Sequence, residues 1–264
     1  MDGFSFAATC AIIRPVMESK VHPINTRLRR DSVFWLVVGG LFLAYALLRG
    51  DALSLFATLA SLLIAVTVHE FAHAWAANEL GDPTARYMGR LSLNPLVHLD
   101  PLGTVMMVVT AITGTGIGWG KPVPVSPYRL RFGQRLGGGI VSLAGPLANL
   151  LLALLLGLLL RFVPMVPAVI RLLLVTAVWT NLILSMFNLL PLPPLDGHSV
   201  LLGLLSLSRS RWAWRASQFL ASLQQYGPMV LLGVILVSQV FGLNLVGWII
   251  GPPTRALYRA VVGS

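Results

Sequence analysis

The chain has 264 residues, 56% of them hydrophobic and 11% charged, with a mean hydropathy of +0.81. These values exclude an ordinary soluble domain and describe an all-α polytopic membrane protein with short loops. The net charge of +10 does not indicate nucleic acid, because the 19 Lys and Arg residues flank apolar runs and form no aromatic-interleaved basic domain.

Residues 1–31 contain Arg14, Lys20, Arg27, Arg29 and Arg30 and lack a signal-peptide pattern. They are expected to form a basic cytoplasmic tail. Five segments are long enough, or nearly so, to cross a hydrocarbon core that needs about 20 apolar residues. They are residues 33–49, 52–80, 137–162, 168–190 and 228–250. A sixth piece, "LGTVMMVVTAITGTGIG" at 102–118, is short and ends in Gly and Thr, so it is expected to dip into the membrane and return. The expected organisation is five to six transmembrane helices, with a re-entrant or loop element between the second and third. A membrane-embedded domain would occupy 32–251, with its core at 52–205 and a short tail at 252–264. Basic loops around Arg86 and Arg90, Lys121 to Arg135, and Arg209 to Arg215 then face the cytoplasm together with the N-terminus. Trp212 and Trp214 among those last arginines suit an interfacial anchor.

The second segment contains "VHEFAHAW". On a helix, residues four apart share a face, so His69 and His73 can present both imidazoles to one metal, with Glu70 beside them. In the H-E-x-x-H arrangement zinc lowers the pKa of a bound water toward about 7 and the Glu acts as general base. The motif lies about 11 residues from the end of its segment, roughly 16 Å along a helix and well inside a bilayer, where ionisable residues mark function. The bland alternative is a pair of core histidines hydrogen-bonded to neighbouring helices.

A catalytic zinc takes three protein ligands and one open position. The single cysteine, Cys10, rules out an intrachain disulfide or a thiolate cluster, which leaves His and carboxylates as ligands. Asp196 stands out in "FNLLPLPPLDGHSV", because Pro191, Pro193 and Pro194 break the helix before it and Gly197 frees the backbone after it. A broken membrane helix is tolerated where it lines a cavity. The charge-derived topology also brings Asp196 to the side of the membrane where His69 and His73 lie.

Together "HEFAH", "SLAGPLAN" and "NLLPLPPLDG", on successive membrane segments, resemble the site-2 protease family of intramembrane zinc metalloproteases. The stretches "LNPLVHLDPLGT" and "GWGKPVPV" are similar to the connecting region of its compact prokaryotic members, and the chain has no PDZ-like domain. The resemblance implies one zinc per chain with His69, His73 and Asp196 as ligands and Glu70 as catalytic base. It implies Asn149 and Asn188 as groups that hold substrate backbone or the oxyanion, against interhelical hydrogen bonding as the alternative. Gly145 and Pro146 would allow close helix packing. His98 and Asp100 either line the mouth of the site or are turn residues, and "KPVPV" is either an edge strand beside the cleft or a plain loop. The implied activity is hydrolysis of transmembrane or membrane-tethered protein substrates in regulated intramembrane proteolysis, with the lipid bilayer as surroundings. Two other readings of the same cluster are a metal or proton transporter and a catalytically silent membrane scaffold.

Overall fold

A computed structural model describes residues 39–40, 51–113, 119–163 and 165–263. The expected tail at 1–31, and all of the first apolar segment except Gly39 and Gly40, lie outside the described residues. The described residues from 51 to 263 belong to one compact unit.

Helix α1, Ala52–Glu79, begins at Asp51, whose carboxylate accepts from Ser54 N at 3.2 Å. Its buried face is built from small residues, Ala57, Ala65, Ala72, Ala74, Ala76 and Ala77, which let neighbouring helices approach closely. It ends at Gly81, whose φ of +96° turns the chain into the four-residue helix α2, Thr84–Tyr87. Helix α3, Pro101–Thr113, has 13 residues. Over the described residues that is about 20 Å, shorter than the roughly 30 Å of a hydrocarbon core.

After an irregular stretch, α4, Gly133–Phe162, starts where Phe132 and Gly133 both take positive φ. It is the central helix, packed against α1, α5 (Ala168–Asn188) and α6 (Asp196–Ser206). Gly139 of α4 and Gly203 of α6 approach closely: a Cβ on Gly139 would lie 3.1 Å from the Gly203 Cα, tighter than ordinary packing. A second core joins Ala153 of α4 to Val178 and Leu182 of α5. Opposite these contacts, Leu147, Leu151, Leu155 and Leu159 of α4 point outward, as lipid-facing residues do.

The chain closes with α7 (Arg211–Leu223), α8 (Gly227–Val240) and α9 (Leu245–Val262). The apolar run at 228–250, expected as one span, is two helices. Gly242 takes φ +62°, and Asn244 caps a new helix by accepting from Gly247 N at 2.9 Å. Residues 252–262, read from the sequence as a tail, continue α9, which packs on α5 through a Trp179–Tyr258 edge contact. Among the described residues, four stretches are long and apolar enough to cross a membrane: α1, α4, α5 and Arg211–Ser238. The fold is an all-helical polytopic membrane protein. Among the described residues there is no strand, only a single bridge between Leu99 and Gly120, so "KPVPV" is not an edge strand.

Candidate active site

Two helices deliver the three groups. His69 and His73 lie one turn apart on the buried face of α1, and Asp196 is the first residue of α6, where the helix N-terminus favours a carboxylate. The chain reaches Asp196 through Leu189–Leu195, whose prolines at 191, 193 and 194 prevent α5 from continuing. Gly197 follows because a Cβ there would collide with the carbonyl of Leu189.

Asp196 Oδ2 stands 3.0 Å from His69 Nε2 and 3.3 Å from His73 Nε2. The other ring nitrogens are spoken for. His73 Nδ1 donates to the Val141 carbonyl at 2.8 Å, and His69 Nδ1 donates to the Asn149 side-chain oxygen at 3.2 Å. Asn149 is fully buried and is itself oriented by donating to the Ala65 carbonyl at 3.3 Å, one turn ahead of His69. These acceptors place both imidazole protons on Nδ1, the arrangement found when a hydrogen-bond acceptor behind the ring aims a metal-binding histidine. Two unprotonated nitrogens and a carboxylate oxygen then converge, all within 4.8 Å of one another. Lone pairs facing one another require a proton or a cation between them, and two imidazoles with one carboxylate form a donor set that suits zinc.

The three groups border a cavity of about 230 Å³ that Glu70, Asn188, Ser142 and Val123 also line. Glu70 Oε2 accepts from Val123 N at 3.1 Å. Asn188 donates to the Leu184 carbonyl at 3.0 Å while bordering the cavity. His98 is not brought to the cavity. Its buried ring bonds the Ser92 carbonyl through Nε2 at 2.7 Å, and Asp100 caps α3 by accepting from Gly103 N at 2.8 Å. Both act as turn residues, and Asn149 acts on His69 rather than on the cavity.

Several contributors left little trace in the sequence. The α4 glycine in "SLAGPLAN" does more than pack helices. A Cβ on Gly145 would lie 2.6 Å from His73 Cε1 and 2.8 Å from His69 Cε1, and closer still to His73 Nε2. Pro146 lacks an N–H, so the carbonyl of Ser142, a residue that lines the cavity, has no helical donor from that position. Its own carbonyl accepts from Ser185 Oγ at 2.8 Å, which ties α4 to α5.

Comparison with known proteins agrees with this picture. The family model for peptidase family M50 matches residues 163–232. A Mycolicibacterium smegmatis protein with the printed name "Putative zinc metalloprotease Rip2" is 33% identical over 195 residues, covering 69% of this chain and 73% of that protein. The chain belongs to peptidase family M50, the site-2 protease family. A further relative, "Putative zinc metalloprotease YwhC" of Bacillus subtilis, is 42% identical over 149 residues, which cover 53% of this chain and 65% of that protein. The chain thus spans just under two thirds of the length of the Bacillus relative. No solved structure matches it.

Proposed function

We propose that this M50 protein is a zinc metalloendopeptidase that cuts transmembrane or membrane-tethered proteins. The observation that carries the proposal is the convergence of His69, His73 and Asp196 on a cavity that Glu70 also borders. One zinc ion per chain, held by those three residues, would supply Lewis-acid polarisation of a scissile carbonyl and acidify water.

The protein groups supply the rest. Glu70, anchored through one oxygen by Val123 N–H, takes the proton of the attacking water with the other and delivers it to the leaving amine as the C–N bond breaks. Val141 and Asn149 hold the two imidazoles in the tautomer that leaves Nε2 free. Asn188, at the cavity wall, is placed to hold substrate backbone. A helical substrate hides its own carbonyls, so it must unwind locally before the cut. We place the N-terminus and the site opening on the cytoplasmic side, on the strength of the basic loops. The names of the relatives, both metalloproteases, point to the same chemistry.

The test is hydrolysis of a fluorogenic transmembrane peptide by the purified chain in detergent or nanodiscs. Wild type should cleave, a chelator should stop it, and Glu70→Gln should abolish turnover. Undiminished turnover by Glu70→Gln would refute the reading. Metal transport with no cleavage would favour the transporter.

A further inference from the structure

Segment 120–126, Gly-Lys-Pro-Val-Pro-Val-Ser, supplies Pro122, Val123 and Val125 to the cavity wall. Its prolines at 122 and 124 remove the amides of one edge, so it cannot wind as a helix or sit as a central strand. Backbone donors remain at Gly120, Lys121, Val123, Val125 and Ser126, and three of them are committed to other parts of the chain. Lys121 N donates to the His98 carbonyl at 2.7 Å, Val123 N to Glu70 Oε2 at 3.1 Å, and Ser126 N to Asp82 Oδ2 at 2.6 Å. Arg90 adds a long contact to the Pro122 carbonyl at 3.5 Å.

Asp82 is the anchor of this strap. It is fully buried just beyond the end of α1, the helix that carries Glu70. Its Oδ1 accepts from Thr84 N at 3.1 Å and from Thr84 Oγ1, while its own N–H is held by the Ala77 carbonyl at 2.9 Å. Nearby, Arg131 N donates to the Leu80 carbonyl at 2.8 Å. The end of α1 therefore grips the chain on the far side of the strap. A charge-assisted bond to a backbone N–H is among the stronger hydrogen bonds available.

We propose that Asp82 is a positioning residue for Glu70: by clamping Ser126 it keeps the strap seated, so that Val123 N–H fixes one oxygen of the Glu70 carboxylate and leaves the other for proton transfer. The proposal rests on the metalloprotease reading. Asp82 touches neither substrate nor metal ligand; it acts through four residues of strap.

The experiment uses the full zinc-loaded chain and compares wild type with Asp82→Ala, Asp82→Asn and Ser126→Pro. Zinc content, kcat and KM on a transmembrane peptide, and hydrogen exchange of the amides in 120–126 are measured together. Asp82→Ala should bind zinc as wild type does and lose about tenfold or more in kcat, in line with the cost of misplacing a catalytic group. Its KM should stay within about twofold, and its strap amides should exchange faster by a similar factor. Asp82→Asn keeps one acceptor oxygen, enough for the Ser126 amide but not for Thr84 as well, and should recover part of kcat. Ser126→Pro, which removes that amide, should behave like Asp82→Ala, and the double variant should be no worse than either single one.

A folded, zinc-loaded Asp82→Ala with wild-type kcat and wild-type strap exchange would overturn the proposal. So would a kcat loss that tracks zinc loss and is not rescued by Asn. If wild type itself is inert, or Glu70→Gln is as active as wild type, the metalloprotease reading has failed. The exchange data then judge the clamp alone, and unchanged exchange of Val123 in Asp82→Ala refutes it.

Discussion

Gly145→Ala puts one methyl group where the two histidine rings stand. The added carbon would sit 2.6 Å from His73 Cε1 and 2.8 Å from His69 Cε1, against a carbon–carbon optimum of about 3.5–4.0 Å. The rings must retreat by roughly 1 Å, yet each is tethered on its other side, His73 at 2.8 Å to Val141 and His69 at 3.2 Å to Asn149. Overpacking of this size costs about 1–3 kcal/mol. At about 1.4 kcal/mol per tenfold, zinc affinity should fall ~5- to 150-fold. Competition with a chromophoric chelator measures this directly. Gly138→Ala is the control, since a Cβ at Gly138 meets nothing within 4 Å, and its affinity should equal wild type. A folded Gly145→Ala protein that binds zinc within twofold of wild type would refute the claim that this glycine makes room for the histidines.

Removing the orienting amide by Asn149→Ala should weaken zinc by about 10- to 100-fold while leaving the helices folded, since hydrogen-bond partners of metal-binding histidines carry effects of that size; unchanged affinity in the same chelator titration would count against the assigned tautomer. The Asp82 carboxyl is held below its ordinary 3.8, because burial, which alone would raise it, is outweighed by hydrogen bonds from the Thr84 side chain and the Ser126 and Thr84 backbones, with the Arg129 charge assisting. Its contribution to stability is therefore fully present above about pH 4 and is lost as pH falls through the depressed folded value. Strap exchange should be flat from neutral pH down to that point, after intrinsic rates are divided out, and then rise in wild type but not in Asp82→Asn; superimposable profiles would contradict this. Substrates with Gly, Pro or Asn near the cut should be cleaved faster than a uniform poly-Leu helix, as quantified by mass spectrometry of the products, and equal rates would remove the need for local unwinding.

The helices α1, α4 and α5 were legible because apolar length alone identifies a membrane segment, and the His69–Glu70–His73 cluster because a four-residue spacing fixes one helix face. Asp196 was legible through the prolines that must break the helix ahead of it. The misjudged piece, 228–250, shows what hydropathy misses: the run stays apolar while Gly242 and Asn244 end one helix and begin another. The supporting shell was hidden for a different reason. Val141, Asn149 and Val123 reach His73, His69 and Glu70 across 68, 80 and 53 residues, and two of those three contacts use backbone atoms that every residue possesses. Gly145 could be seen as a close approach, but what approaches it depends on how α4 lies across α1.

Zinc content per chain tests the central claim most directly, with wild type, Asp196→Ala and Glu70→Gln purified side by side. The account predicts one zinc in wild type, one in Glu70→Gln with no turnover, and a weakened or empty site in Asp196→Ala. A well-folded wild-type protein that takes up no zinc when zinc is supplied, or one whose zinc is indifferent to Asp196→Ala, would contradict it.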